Sequence, residues 1–145
     1  MTIDTLISTD VAARNREIIT AAMDGLARGD TRLYGQTMAE DFTWRPMGSG
    51  PWGKVYVGRK SVREDLFGPL FAQYEDGSFS NTPLHIFADG DHVVVEAQGR
   101  AMLKSGKRYD QRYCYVIRMK DGKMQEVREY LDTLLSEDTL DASVL

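Results

Sequence analysis

A single cysteine, Cys114, stands among 145 residues, so no intramolecular disulfide can form. Only two histidines, His85 and His92, accompany it, and no Cys/His cluster has the spacing of a zinc site. No metal and no cofactor is expected. Positive charge is also short, since 18 Lys and Arg against 22 Asp and Glu leave a formal charge of -4 and a pI near 5.2. Nucleic-acid binding neutralises phosphates with a basic face, so nucleic acid is not expected as a partner, and an anionic membrane surface is disfavoured for the same reason. No apolar run approaches a membrane span, and Met1 to Asp10 lack a signal-peptide core. A cytoplasmic protein is the expectation.

What is present is an ordinary globular composition, 42% hydrophobic and 28% charged, at a length that suits one domain. One domain over 1–145 is expected, with 1–9 and 137–145 as loose tails. Residues 10–28 place Ile18, Ala22 and Leu26 on one helical face behind a candidate Asp10 cap, with Gly29 as the stop. Asp30 can cap a shorter helix burying Leu33, Tyr34 and Met38. Phe42 to Met47 reads as a strand, and 48–58 as a Gly/Pro-rich loop. Ser61-Val62-Arg63-Glu64 has capping-box spacing and opens a helix carrying Leu66, Phe67, Leu70, Phe71 and Tyr74, which Gly68-Pro69 should kink or split. From Ser78 the pattern becomes four strands parted by turns at Asp89-Gly90, Ser105-Gly106 and Asp121-Gly122. Helices followed by an antiparallel meander predict an α+β fold, with the helices on one face of the sheet.

Register decides which side chains face those helices. A two-residue loop at Ser105-Gly106 pairs Arg100 with Gln111, Gln98 with Tyr113 and Glu96 with Tyr115, all on one face. Simple alternation argues the reverse, because Val95, Ala97, Ala101 and Leu103 are apolar and would turn Glu96, Gln98 and Arg100 to water. The last hairpin is open too: Asp121-Gly122 as a two-residue turn sets Tyr113 opposite Tyr130, whereas a three-residue loop with Gly122 as bulge sets it opposite Glu129.

The segment YCYVIRMKDGKMQEVREYLDT, from Tyr113 to Thr133, resembles the terminal hairpin of SnoaL-like and ketosteroid-isomerase-like proteins of the nuclear transport factor 2-like superfamily. The ARGD turn at 27–30 and MAEDFTW at 38–44 resemble the same group. The resemblance implies a cone-shaped fold, a pocket between helices and sheet for a small organic ligand, and a homodimer through the outer sheet face. Ala97, Gly99, Ala101, Cys114 and Val116 would form that outer surface. It does not choose a reaction, since one fold hosts many. The ketosteroid isomerase positions match Ala22, Arg45 and about Cys114, so that acid/base set is not carried over. Limonene epoxide hydrolase is also similar, and its Asp-Arg-Asp site falls on Gln98, Glu96 and Glu129, which replaces the cation by an acid.

The resemblance implies a pocket row of Gln98, Tyr113 and Glu129, with Glu96, Tyr115 and Val127 in the next row. Glu129 is the candidate base, because a carboxylate in an apolar cavity is pushed toward neutral pKa values. Tyr113 would stabilise an enolate or alkoxide, Gln98 would orient substrate or water, and Glu96 would be a second acid. Trp44, Arg100, Gln111, Tyr115, Val127 and His85 are candidate substrate contacts. The chemistry expected is cofactor-free proton transfer: isomerisation, cyclisation or hydration and dehydration of a small, polyketide- or steroid-like molecule. The alternative is a non-catalytic ligand-binding or dimeric assembly module.

Overall fold

The computed structural model describes residues 3–145, with side chains from residue 11 onward. Helix α1 spans Ile3–Ala27, so Asp10 lies within it and is not its cap. The apolar spacing of Ile3, Leu6 and Ile7 continues the helical period upstream. Gly29 ends it as expected. Its φ is 77°, Asp30 N–H donates to the Gly25 carbonyl at 2.8 Å and Gly29 N–H to Leu26 at 3.0 Å, the paired bonds of a Schellman terminus. Helix α2, Arg32–Thr37, buries Tyr34 but leaves Leu33 43% exposed. Met38 opens strand β1, Met38–Pro46, which therefore starts four residues earlier than expected.

After the short β2, Tyr56–Val57, the chain forms α3, Arg59–Ser61, then a π-helix, Val62–Phe67, and then α4, Gly68–Phe71. No capping box forms; the Ser61 hydroxyl instead donates to Asp65 Oδ2 at 2.7 Å. The run is split at Gly68-Pro69, where the π-helix gives way to α4. Pro69 cannot donate a backbone hydrogen bond, and the turn before it widens so that Gly68 N–H reaches back to Arg63 O, a π-type bond.

Four antiparallel strands follow: β3 Ser80–Asp89, β4 His92–Arg100, β5 Arg112–Lys120 and β6 Lys123–Leu131. The sheet order is β2-β1-β6-β5-β4-β3, with β1 parallel to β6. Helix α1 packs over β3 and β4, where Ile19, Ala22 and Met23 meet the fully buried Val93, Val95 and Ile117. The fold is the α+β cone of the nuclear transport factor 2-like proteins, helices on one face of an open, mostly antiparallel sheet.

Two turns settle the register: the first differs from the expected two-residue loop, and the second takes one of the two forms left open but adds a bulge. Around Ser105-Gly106 the loop is three residues long: Leu103 N–H donates to Lys107 O at 2.8 Å, Tyr109 N–H to Ala101 O at 2.9 Å and Gly99 N–H to Gln111 O at 2.7 Å. Gly106, at φ 90°, supplies the left-handed residue such a loop needs. Glu96 therefore pairs with Cys114, Ala97 with Tyr113 and Gln98 with Arg112. This one-residue slip turns Val93, Val95, Ala97, Ala101 and Leu103 inward, all 2% exposed or less. Burial of apolar surface, about 25 cal/mol per Å2, decides it in favour of simple alternation.

At Asp121-Gly122 the loop has two residues, with φ 50° and 75° and Lys120 opposite Lys123, as a type I′ turn requires. A bulge then shifts the pairing between Met119/Met124 and Arg118/Glu126, leaving Gln125 as the extra residue. Glu129 consequently sits opposite Tyr115, and Leu131 opposite Tyr113. Glu129 shares the inner face with both tyrosines, displaced by two residues from the expected row.

The chain beyond Glu137 is tied down instead of loose. Helix α5, Thr133–Thr139, is capped by Asp132, whose Oδ1 accepts from Leu135 N–H at 3.1 Å. Leu140 is 8% exposed. Gln73 brackets Asp141, donating to its carbonyl at 3.1 Å and accepting from its N–H at 2.8 Å.

Candidate active site

Between the helices and the inner sheet face lies a cavity of about 600 Å3, within the range of small-molecule sites. Eight aromatic side chains line it. Trp44 comes from β1, Tyr34 from α2, Phe67 and Phe71 from the π-helix and α4, Tyr113 and Tyr115 from β5, and Tyr74 and Phe79 from the chain leading to β3. The rings interlock: Trp44 meets Phe67 edge-on at 5.1 Å and Tyr115 at 6.0 Å, and Phe67 stacks on Phe71 at 5.4 Å. Among the described residues, Glu129 is the one acid lining this space.

The parallel pairing of β6 with β1 and the antiparallel pairing with β5 place Glu129 between Pro46 and Tyr115. Burial pushes its carboxyl up to about 8, against a weaker opposing pull from the neighbouring Trp44 indole. Burial likewise raises the Tyr34, Tyr113 and Tyr115 phenols, so all three keep their protons and act as donors. The Tyr34 hydroxyl, the Trp44 indole nitrogen and Asn81 Oδ1 are buried without a hydrogen-bond partner. All three residues line the cavity. Orphaned buried polar atoms cost about 1–3 kcal/mol each, and a bound polar molecule would satisfy them. Asn81 Nδ2 donates to the Tyr115 hydroxyl at 2.8 Å, which leaves the Tyr115 proton free to point elsewhere.

Of the expected site residues, the structure gathers Glu129, Tyr113, Tyr115 and Trp44 on the cavity wall. Tyr113 lies over Gly99, where an added Cβ would sit 2.8 Å from its ring, so only glycine allows that placement. Glu96, Gln98 and Arg100 do not join them. The slipped register turns Glu96 outward, 3.6 Å from the exposed His85. Gln98 is turned to backbone carbonyls of Gly99 and Gln111, and Arg100 is exposed. His85 stacks on the exposed Phe87 on the outer face. Ala97 and Ala101 are correspondingly inside rather than on the outer surface.

Gln111 and Val127 do face inward but are structural. Val127 is fully buried opposite Ile117, beneath the helices. Gln111 Oε1 accepts from Arg112 and Asp132 N–H at 2.9 and 3.0 Å, while Nε2 donates to Asp132 O at 2.8 Å and Ser136 Oγ at 3.2 Å. It fastens the start of β5 to the head of α5. Neither likeness to a known catalytic set assembles: Ala22 is core, Arg45 pairs outward with Glu126 at 2.7 Å, and the epoxide hydrolase pattern loses Glu96 and Gln98. Tyr34, Phe67, Phe71, Tyr74 and Asn81 also line the cavity, and the sequence does not mark them as site residues. For the four aromatics the signal is an excess of rings along helical stretches, which a packed core shows equally; Asn81, a lone polar residue on β3, carries none. Among the described residues no three His, Cys, Asp or Glu side chains gather as metal ligands.

The family model of the SnoaL-like domain matches residues 19–127. The chain belongs to the SnoaL-like family. Solved structures agree on the fold. A nuclear transport factor 2-like protein from Burkholderia thailandensis superposes with a TM-score of 0.74 at 19% identity, covering 88% of this chain and 97% of its own. An inferred SnoaL-like polyketide cyclase from Jannaschia sp. gives 0.71 at 17%, covering 88% and 91%. TerC, co-crystallized with polyporic acid, gives 0.70 at 23%, covering 86% and 96%. Comparison with curated proteins finds no match. The family match stops two residues before Glu129, so membership alone assigns that residue no role. As for a membrane, no helix among the described residues is long and apolar enough to cross one.

Proposed function

We propose that this SnoaL-like protein binds a small, flat organic molecule and catalyses a cofactor-free proton transfer on it, with Glu129 as the group that takes and returns the proton. The observation that carries the reading is one desolvated carboxyl among aromatic rings, with unpartnered donors on Tyr34 and Trp44 and a free proton on Tyr115. Ionised Glu129 removes a proton from carbon next to a carbonyl; the electron pair moves onto the carbonyl oxygen, where the phenol and indole donors hold the enolate. Where the enolate is conjugated with a double bond, return of the proton at its far carbon isomerises the substrate; where the enolate carbon instead attacks a second carbonyl, the ring closes and the new alkoxide takes the proton back from Glu129. The similarity to a polyketide cyclase-like structure and to TerC with polyporic acid supports this substrate range. With Glu96 outside, chemistry needing two pocket acids is not favoured.

The test is α-proton exchange of 2-tetralone in D2O, followed by NMR. The wild type should accelerate exchange and Glu129→Gln should reduce the acceleration at least a hundredfold with the fold intact. No acceleration, or an unaffected variant, refutes the role. One observation favours the second reading, a ligand-binding module. With its carboxyl at about 8, only about a tenth of Glu129 is ionised at pH 7, so the resting cavity is that of a neutral receptor. Under that reading Glu129→Gln would bind the same ligands and no turnover would exist to lose. We further propose a homodimer through the outer sheet face, where Phe87, Tyr130 and Leu84 are 56%, 44% and 55% exposed on a surface shared with Cys114 and Val116.

A further inference from the structure

The cavity mouth is charged in a way its interior is not. Apart from Glu129, the side chains lining it that carry charge are Arg32, Arg59 and Arg63, in a chain whose net charge is -4. Arg32 is neutralised, with Nη2 and Nε 2.7 and 3.0 Å from the Asp30 carboxylate. The other two keep spare donors. Arg59 Nη1 donates to Met38 O at a long 3.4 Å, and its other nitrogen lies 3.9 Å from Glu40, a side chain 93% exposed. The Arg63 guanidinium is exposed and makes no hydrogen bond or ion pair among the described residues.

Backbone geometry puts these two arginines in line with two aromatic rings. Arg59, Arg63, Phe67 and Phe71 follow one another at four-residue steps, and all four line the cavity. In a regular α-helix each such step drifts about 40° around the axis, since a turn holds 3.6 residues, and three steps would carry Phe71 about a third of the way round. The π-helix Val62–Phe67 interrupts that drift with a wider turn. The four side chains therefore stay on one wall, cations at the mouth and stacked rings within. π-Turns are uncommon and recur at functional sites.

We propose that the ligand is a flat aromatic anion whose carboxylate, or equally acidic oxygen, is held by Arg59 and Arg63 while its ring lies along Phe67 and Phe71. Guanidinium groups suit such an oxygen pair because their donors form a fixed fork. The orientation sends the far edge of the ring toward Glu129 and the orphaned Tyr34 and Trp44 donors. This rests on the cavity being the ligand site but not on Glu129 being a catalyst.

The experiment titrates the full chain with 2-naphthoate and with its neutral counterpart 2-naphthamide, read by tryptophan fluorescence and by calorimetry. Naphthoate should bind at least tenfold more tightly at low salt, with the preference shrinking in 0.5 M NaCl, about where screening shortens to a few ångströms. The double variant Arg59→Gln/Arg63→Gln, checked by circular dichroism for an unchanged fold, should bring naphthoate down to the amide's affinity and leave the amide alone. Glu129→Gln should retain the preference. Equal affinity of the two probes, a preference untouched by the double variant, or no binding of naphthoate up to its solubility would each overturn the proposal. Loss of the anion preference with Glu129-dependent exchange intact would sink this inference and leave the catalytic reading standing; the opposite pattern would do the reverse.

Discussion

Glu129 sets a conflict between stability and function within one side chain. Its folded pKa of about 8 lies above the ordinary carboxyl value, so the folded state holds the proton more tightly than the unfolded chain. The stabilisation this gives is complete below about pH 4.5, declines as pH rises and is gone above about 8, a change of a few kcal/mol. Glu129→Gln should flatten that slope and melt at a higher temperature than the wild type at pH 8.5, which calorimetric scans from pH 5 to 9 will show. Catalysis runs the other way. Exchange by ionised Glu129 should climb about tenfold per pH unit up to about 8 and then level, and a profile that falls instead would mark Glu129 as an acid. Gly99 carries the next prediction at this scale. Gly99→Ala pushes a methyl toward the Tyr113 ring and should cost about 1–3 kcal/mol, measured by urea unfolding, together with weaker ligand binding.

At the level of elements, the turns governed what could be read from sequence. The helices and the four-strand meander follow from apolar period and turn residues, and the structure agrees. The fine register does not follow, because a single glycine serves a two-residue or a three-residue loop equally well. Gly106 took the three-residue form and exported Glu96 and Gln98 to the outer face; Gly122 took the two-residue form, and a bulge at Gln125, which no residue type announces, restored Glu129 to the inner face. Tyr113 and Glu129 were thus legible as inward-facing, and their row was not. The aromatic wall stayed hidden because Phe67, Phe71 and Tyr74 look identical whether they fill a core or line a cavity. The Gln111 fastening is an element-scale device that sequence spacing could not show. Gln111→Leu strands the Asp132 N–H, while the Asp132 carbonyl keeps the Ser136 N–H and hydroxyl as donors; the change should cost about 1–3 kcal/mol with α5 losing amide-exchange protection first.

For the whole molecule, the outer sheet face is the surface on which a second copy would pack. Phe87, Leu84 and Tyr130 are exposed there amid ion pairs such as Arg45 with Glu126 and Arg128 with Glu126. A two-fold arrangement would bury that apolar patch against itself. Light scattering at micromolar concentration should give twice the chain mass, and Phe87→Glu with Tyr130→Glu should return it to the monomer without emptying the cavity. The pairing of β1 with β6 has a consequence in time as well as in space. Arg45 and Glu126 stand 81 residues apart in the chain, so the neighbourhood of Trp44 and Glu129 exists only after the longest loop in the sheet has closed. Such distant pairings are slow to nucleate. A nascent or partly refolded chain can own its helices and its meander and still have no receptor; the appearance of ligand binding during refolding should lag behind secondary structure and report the closing step.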